Sequence, residues 1–210
     1  MKTIDQKIAH VRRNTNEFIS QIDKIGPNED LGLCKFILVS CLIDAVAAYA
    51  YQREKNNTQY KNFIKSYLGQ VNPLYKKDRI ANILYHGIRC SLIHSFTISE
   101  HILLTEADNP DIHLSSNAYN HLIVDLATFY SDLKKAIKLF FKDLTSNKSN
   151  IQRHFIEGFI KNPPFDVFEN VDLLDPNQPV TGSTKIETTL YKKVNFRRSS
   201  NSGLIKVDSK

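Results

Sequence analysis

The chain has 210 residues, of which 41% are hydrophobic and 24% are charged. This composition excludes wholesale disorder and suits one domain with a sizeable core and an appendage. The net charge of +6 is compatible with a polyanionic partner such as RNA, and equally with no such partner.

Apolar spacing predicts helices through most of the first 145 residues. The first helix carries a surface-type stripe, whereas the second is apolar on nearly all sides, which is typical of the interior of a helical bundle. The predicted helices span residues 3–25, about 30–54, about 58–69, about 76–94 and about 117–145.

The second predicted helix contains a carboxylate, Asp44, in the apolar run LIDAVA. A carboxylate in such surroundings needs a partner or a proton, so we expect Asp44 to anchor a polar contact inside the bundle. A solvent-facing position at a helix edge is the alternative. Because Lys35 and Asp44 interrupt the apolar stretch 31–51, we expect no membrane span.

Cysteine usage favours a reducing compartment. The cysteines are Cys34, Cys41 and Cys90. Their odd number, the lack of a CxxC pair and an N-terminus without a signal-peptide core predict free thiols in a cytoplasmic protein. Cys34 and Cys41 are interpreted as small buried hydrophobic side chains.

Two further segments are not predicted as long helices. Residues 97–116 could hold a β-hairpin, with Ile102–Leu104 and Ile112–Leu114 flanking the turn residues DNPD, or an irregular excursion. After residue 145 the sequence predicts a short helix and then an irregular, partly strand-like extension. The predicted organisation is therefore a helical domain over 1–145 and an extension over 146–210.

Familiar cofactor and metal motifs are missing from the sequence. No histidine pair forms HxxxH or HExxH, the cysteines are not spaced for zinc, and there is no glycine-rich nucleotide loop or GxSxG elbow. The sequence predicts no metal site and no cofactor.

The stretch LYHGIRCSLIHSF, residues 84–96, places an arginine and a histidine within an otherwise core-type segment. Arg89 and His94 are five residues apart, so on a regular α-helix they would point about 140° away from each other. They would then not lie side by side as residues four apart do, but they could still converge if the helix packed against its twin in a second subunit. A looser pattern, in which four to six residues separate the arginine from the histidine, also fits Arg79 and His86.

This pair suits metal-independent cleavage of RNA. An imidazole can take a proton from a ribose 2′-hydroxyl or give one to a leaving oxygen, and a guanidinium can hold phosphate oxygens as negative charge accumulates. The alternative is a packing role, in which Arg89 extends its charged group to the surface and His94 caps a helix end.

The same stretch resembles the signature helix of the HEPN superfamily, in which an arginine is followed after four to six residues by a histidine. The matching residues are Arg89, Cys90, Leu92, His94, Ser95 and Phe96. The segments LIDAVAAYAY, FIKSYL and NAYNHLIVDLATFYSDLKKAIKLFFKDL resemble helices on either side of that motif, so the likeness covers about residues 15–145.

The resemblance implies an all-α, antiparallel helical bundle that forms a homodimer through the motif-bearing helices. It further implies a metal-independent endoribonuclease that leaves a 2′,3′-cyclic phosphate and a 5′-hydroxyl. Arg89 would hold the phosphate and His94 would transfer protons, with Cys90 and Ser95 as substrate-binding neighbours. RNA and a cognate antitoxin or other partner protein are the expected partners, and no membrane is involved.

Two positions depart from the family pattern. Cys90 stands where Asn, Asp or His is frequent, and Phe96 stands where one subgroup has a tyrosine. Because some relatives are not catalytic, a HEPN-like module that binds RNA or protein in a defence or toxin–antitoxin system is the alternative function. A helical domain without any nucleic-acid role is the third.

Overall fold

The described part of the chain is mostly helical, which confirms the expected helical character. The computed structural model describes residues 3–25, 31–95, 97–146 and 149–162. The strand-like segment predicted near the C-terminus lies outside these residues. The α-helices are α1 (Ile4–Lys24), α2 (Gly32–Ala50), α3 (Asn56–Phe63), α4 (Gly69–Val71), α5 (Asp78–Leu84), α6 (Ser91–Ser95), α7 (Leu126–Thr145) and α8 (Ser149–Lys161).

Helix α1 begins where the sequence provides a complete cap. The Thr3 side chain accepts a hydrogen bond from the Gln6 backbone N–H, and the Gln6 side chain accepts one from the Thr3 backbone N–H. These two bonds satisfy backbone donors that a helix leaves free at its start. The predicted apolar stripe is buried, as Ile8, Val11 and Ile22 show.

Helix α2 occupies the interior, as its apolar composition predicted. It contacts α1, α3, α7 and α8, and Val39, Ile43 and Val46 are at most 2% exposed. Helix α8 approaches it closely because a glycine faces it: a Cβ on Gly158 would lie 3.0 Å from the carbonyl oxygen of Ala48. By length and composition α2 could also cross a membrane, although it packs here among other helices.

The expected burial of two cysteines in α2 is only partly met. Cys34 is exposed, so its interpretation as a buried hydrophobic side chain is wrong, whereas Cys41 is half-buried. Cys34 lies in the first turns of α2, where Leu31 and Leu33 are also exposed to 40%. The first turn of α2 is therefore apolar in composition but partly exposed to solvent.

The motif-bearing helix runs from Asp78 to Ser95, close to the predicted 76–94, but it is not a regular α-helix. Between α5 and α6 the chain forms a π-helical segment over Tyr85–Cys90. A second π-helical segment, Ile64–Leu68, joins α3 to α4, and a 3₁₀ turn over Pro73–Lys76 leads into α5. Apolar periodicity did not indicate either π segment.

Of the two alternatives for residues 97–116, the β-hairpin is not formed. Strand β1 (Ile102–Thr105) pairs in parallel with β2 (Leu122–Asp125), in register from Ile102 opposite Leu122 to Thr105 opposite Asp125. Residues 112–114, which would have formed the second hairpin strand, lie in turns. The long connection between the strands is what a parallel pair requires, because a tight turn can join only antiparallel neighbours.

The predicted start of the last long helix at about residue 117 is also wrong. The chain is in β2 up to Asp125, and α7 begins at Leu126. Asp125 caps the helix because its Oδ1 accepts hydrogen bonds from the Thr128 backbone N–H at 2.9 Å and the Thr128 hydroxyl at 2.7 Å. The β-branched pair Ile123 and Val124 before this cap suits a strand.

Candidate functional site

Arg89 lies in the π-helical segment that precedes α6. The Ser91 backbone N–H donates to the carbonyl oxygen of His86, five residues earlier, and the Ser91 hydroxyl donates to the same oxygen at 2.8 Å. The π segment ends at Cys90, whereas His94 lies in the regular helix α6, so only the start of the interval from Arg89 to His94 is π-helical.

Arg89 and His94 are in direct contact within one chain. Arg89 Nη1 lies 2.7 Å from His94 Nε2. Arg89 is half-buried and His94 is exposed. The expectation that these two side chains do not lie side by side on one helix is wrong, because the long arginine side chain reaches His94 within the same chain.

The chemistry of the two groups fixes the direction of this hydrogen bond. An arginine in a protein stays charged and has only donors, so Nη1 donates and His94 Nε2 accepts. The Nε2 atom therefore carries no proton in this arrangement, and a neutral imidazole then carries its proton on Nδ1. Nε2 of His94 cannot take up a proton while it accepts this hydrogen bond.

Asp44 holds the other side of the guanidinium. Arg89 Nε donates to Asp44 Oδ2 at 2.8 Å, and the two side chains are 18% and 28% exposed. The expectation that Asp44 anchors a polar contact is thus confirmed. Burial raises the pKa of Asp44, and this effect outweighs the opposite influence of the Arg89 hydrogen bond and charge.

Replacing Asp44 by alanine should destabilise the protein by about 1–2 kcal/mol. This value lies between the small worth of an exposed ion pair and the larger cost of breaking a buried one, because both side chains retain some exposure. Urea denaturation would measure it. Asp78→Ala is the matched control, since it removes the exposed pair of Asp78 with Lys65. Equal losses for the two variants would contradict this expectation.

The ring of Tyr85 lies beside the ion pair and contacts two cations. Arg89 Cζ and Lys61 Nζ are each 5.8 Å from its centroid, within the range of a cation–π interaction. Tyr60 packs against Tyr85 edge to face at 5.5 Å, and its hydroxyl hydrogen-bonds with Ser40 at 3.0 Å. Tyr85 is within the motif segment, but no sequence signal indicated Lys61.

The two predicted substrate-binding neighbours lie in different surroundings. Cys90 is half-buried next to Tyr85, where burial and a hydrogen bond with Cys90 raise the pKa of the tyrosine. Ser95 is exposed at the last residue of α6. Cys41 also lies near the ion pair: burial raises the pKa of its thiol, the Asp44 charge adds to this, and the Arg89 charge opposes it.

The second match to the arginine–histidine spacing makes other contacts. Arg79 Nη2 donates to Asn120 Oδ1 at 3.0 Å, and the ring of His86 packs edge to face on Tyr85 at 5.0 Å. The described structure therefore joins Arg89 with His94, and it gives Arg79 and His86 separate partners.

Within residues 3–25, 31–95, 97–146 and 149–162, no three His, Cys, Asp or Glu side chains converge as they would around a metal ion.

Comparison with known proteins gives no match: no protein family matches the chain, and neither the curated proteins nor the solved structures give a significant match.

Proposed function

We propose that this protein is a HEPN-type endoribonuclease that cleaves RNA without a metal ion, with Arg89 and His94 as its catalytic residues. The observation that carries this proposal is the 2.7 Å contact between Arg89 Nη1 and His94 Nε2, with Asp44 holding the same guanidinium. A phosphate-binding cation and a proton-transfer group are thereby next to each other, as cleavage by a 2′-hydroxyl requires.

Binding of the substrate would release the base. A phosphate oxygen is an anionic acceptor, which makes a stronger charge-assisted hydrogen bond with a guanidinium than a neutral imidazole does. When Nη1 of Arg89 turns to the phosphate, Nε2 of His94 becomes free to accept a proton. Asp44 keeps its hydrogen bond with Nε of Arg89 during this exchange, so that only the Nη1 end of the guanidinium changes its partner.

The freed Nε2 would then take the proton of the ribose 2′-hydroxyl. The 2′-oxygen forms a bond to phosphorus, the bond from phosphorus to the 5′-oxygen breaks, and the 5′-oxygen receives a proton. The products are a 2′,3′-cyclic phosphate and a 5′-hydroxyl. Arg89 stabilises the negative charge that accumulates on the phosphate oxygens. A homodimer through the motif-bearing helices of an antiparallel bundle would supply a second His94 as the acid.

The alternative is a non-catalytic HEPN-like module that binds RNA or a protein, such as an antitoxin, in a defence or toxin–antitoxin system. One observation favours it: two donors of Arg89 are already hydrogen-bonded within the chain. An arginine satisfied in this way can serve stability alone. In either case we expect a cytoplasmic protein.

The proposal is tested by incubating the purified protein with mixed-sequence RNA in the presence of EDTA. We expect cleavage that leaves 2′,3′-cyclic phosphate and 5′-hydroxyl ends, because the nucleophile is the neighbouring 2′-oxygen. A matched oligonucleotide with 2′-deoxyribose throughout should stay intact. Cleavage of both substrates, or 5′-phosphate products, would contradict this mechanism, and binding of RNA without cleavage would support the alternative.

A further inference from the structure

Tyr85 connects a second cation to the site. Lys61, near the end of α3, points its ammonium at the Tyr85 ring from the same 5.8 Å as the Arg89 guanidinium. The two cationic groups therefore cannot be more than twice that distance apart. Neighbouring phosphates of a nucleic-acid strand are separated by less than this span, so one strand can reach both groups.

The tyrosine is held as a support for the cations and not as a stacking surface. Only 9% of Tyr85 is exposed, and fully buried Tyr60 packs against its ring. A base could not stack on a ring that is covered in this way. A cation near the ring is attracted by its π electrons, so Tyr85 restrains where Lys61 and Arg89 extend without neutralising them.

Arg89 and Lys61 differ in whether a carboxylate offsets their positive charge. Asp44 offsets the charge of Arg89 through the 2.8 Å ion pair. The contact described for Lys61 is with an uncharged ring, which leaves its charge for an anionic ligand. Lysine acts on phosphate as a flexible point charge and so contributes affinity without selecting a base.

We infer that Lys61 binds the phosphate next to the one that Arg89 holds, so that the site takes a nucleic-acid strand with at least two consecutive phosphates, irrespective of its sequence. This inference rests on the proposed function, since it takes Arg89 as the group that holds the scissile phosphate. Lys61 does not touch the reacting atoms in this arrangement and acts by positioning the strand.

The test compares two ligands that cannot be cleaved. A 2′-O-methyl hexanucleotide has several phosphates, whereas a 2′-O-methyl dinucleoside monophosphate has one. We expect Lys61→Gln to weaken binding of the hexanucleotide by about five- to tenfold at low salt and to reduce the slope of log affinity against log salt by about 0.7. Binding of the one-phosphate ligand should not change.

Lys65→Gln is the matched control, because it removes the same charge from the adjoining π-helical segment, where Lys65 pairs with Asp78 at 3.0 Å. It should leave hexanucleotide binding within about twofold of the parent. Equal effects of the Lys61 and Lys65 variants on hexanucleotide binding, or an equal loss for both ligands in the Lys61 variant, would overturn the inference. Parent protein that fails to bind the hexanucleotide at low salt would also overturn it.

These binding results are independent of turnover. Absence of RNA cleavage with the expected loss of hexanucleotide affinity would refute the nuclease and support the Lys61 contact. RNA cleavage by the parent, together with equal hexanucleotide affinities of the two lysine variants, would support the nuclease and refute the contact.

Discussion

Replacing His94 by alanine should lower kcat for RNA cleavage by about 10²–10⁴-fold, which is the usual worth of a positioned general base or acid. The same change frees Arg89 Nη1, which donates to His94 Nε2 in the parent. Because the Asp44 contact remains, Arg89 should hold the substrate phosphate at least as well as before. We therefore expect KM to stay equal or to fall, while kcat carries the loss.

Steady-state kinetics in EDTA would measure this separation of kcat from KM. His101→Ala is a suitable control, since His101 is also a histidine, its side chain is 68% exposed and it lies near Glu100. It should cleave at the parent rate. A His94 variant that retains parent kcat would remove the basis for catalysis by this pair, and one that loses only affinity would indicate a binding role for the imidazole.

The second large effect concerns stability in acid and centres on His113, which is only 4% exposed. Its Nδ1 accepts a hydrogen bond from the Asp125 backbone N–H at 3.1 Å. The proton must then lie on Nε2, which donates to the Tyr75 hydroxyl at 2.7 Å. That hydroxyl donates in turn to Asp132 Oδ2 at 3.4 Å, and Asp132 also pairs with Lys135.

Protonation of His113 would break this chain of hydrogen bonds, because a proton on Nδ1 would face the Asp125 N–H donor. Burial lowers the pKa of His113 to about 4, with the charge of Asp125 acting in the opposite direction. In the unfolded chain the imidazole takes a proton near its ordinary pKa of about 6.5. The unfolded state therefore binds more protons between these values, and stability is lost as the pH falls through them.

We expect His113 to account for a loss of about 3 kcal/mol in the free energy of unfolding between about pH 7.5 and pH 4. Asp132 acts in the opposite sense, because burial raises the pKa of its carboxyl and the folded state then takes a proton first. Other carboxylates also titrate in this range, so the parent alone does not isolate the effect of the histidine.

Urea denaturation of the parent and of His113→Gln across this pH range would isolate it. Glutamine does not titrate, so the variant should be less stable than the parent at neutral pH and should lose most of that disadvantage at about pH 4. A constant difference between the two proteins at every pH would show that His113 contributes through packing and not through its protonation.

Local patterns in the sequence determined the helical character of the protein. The apolar stripe of α1 and the apolar run of α2 were sufficient because each pattern involves residues only a few positions apart. The same reasoning failed for Leu122–Asp125, a strand that needs β1 as its partner. Strand pairing joins residues that are far apart in the chain, and periodicity within one segment carries no information about such pairing.

The candidate site was likewise predictable from the sequence only in part. The sequence indicated Arg89, His94 and a partner for Asp44, because costly polar groups in apolar segments are visible without a structure. It could not indicate that Arg89 and His94 are in direct contact within one chain, or that Lys61 approaches Tyr85. Those facts depend on backbone hydrogen bonding and on helix packing, which only the tertiary structure fixes.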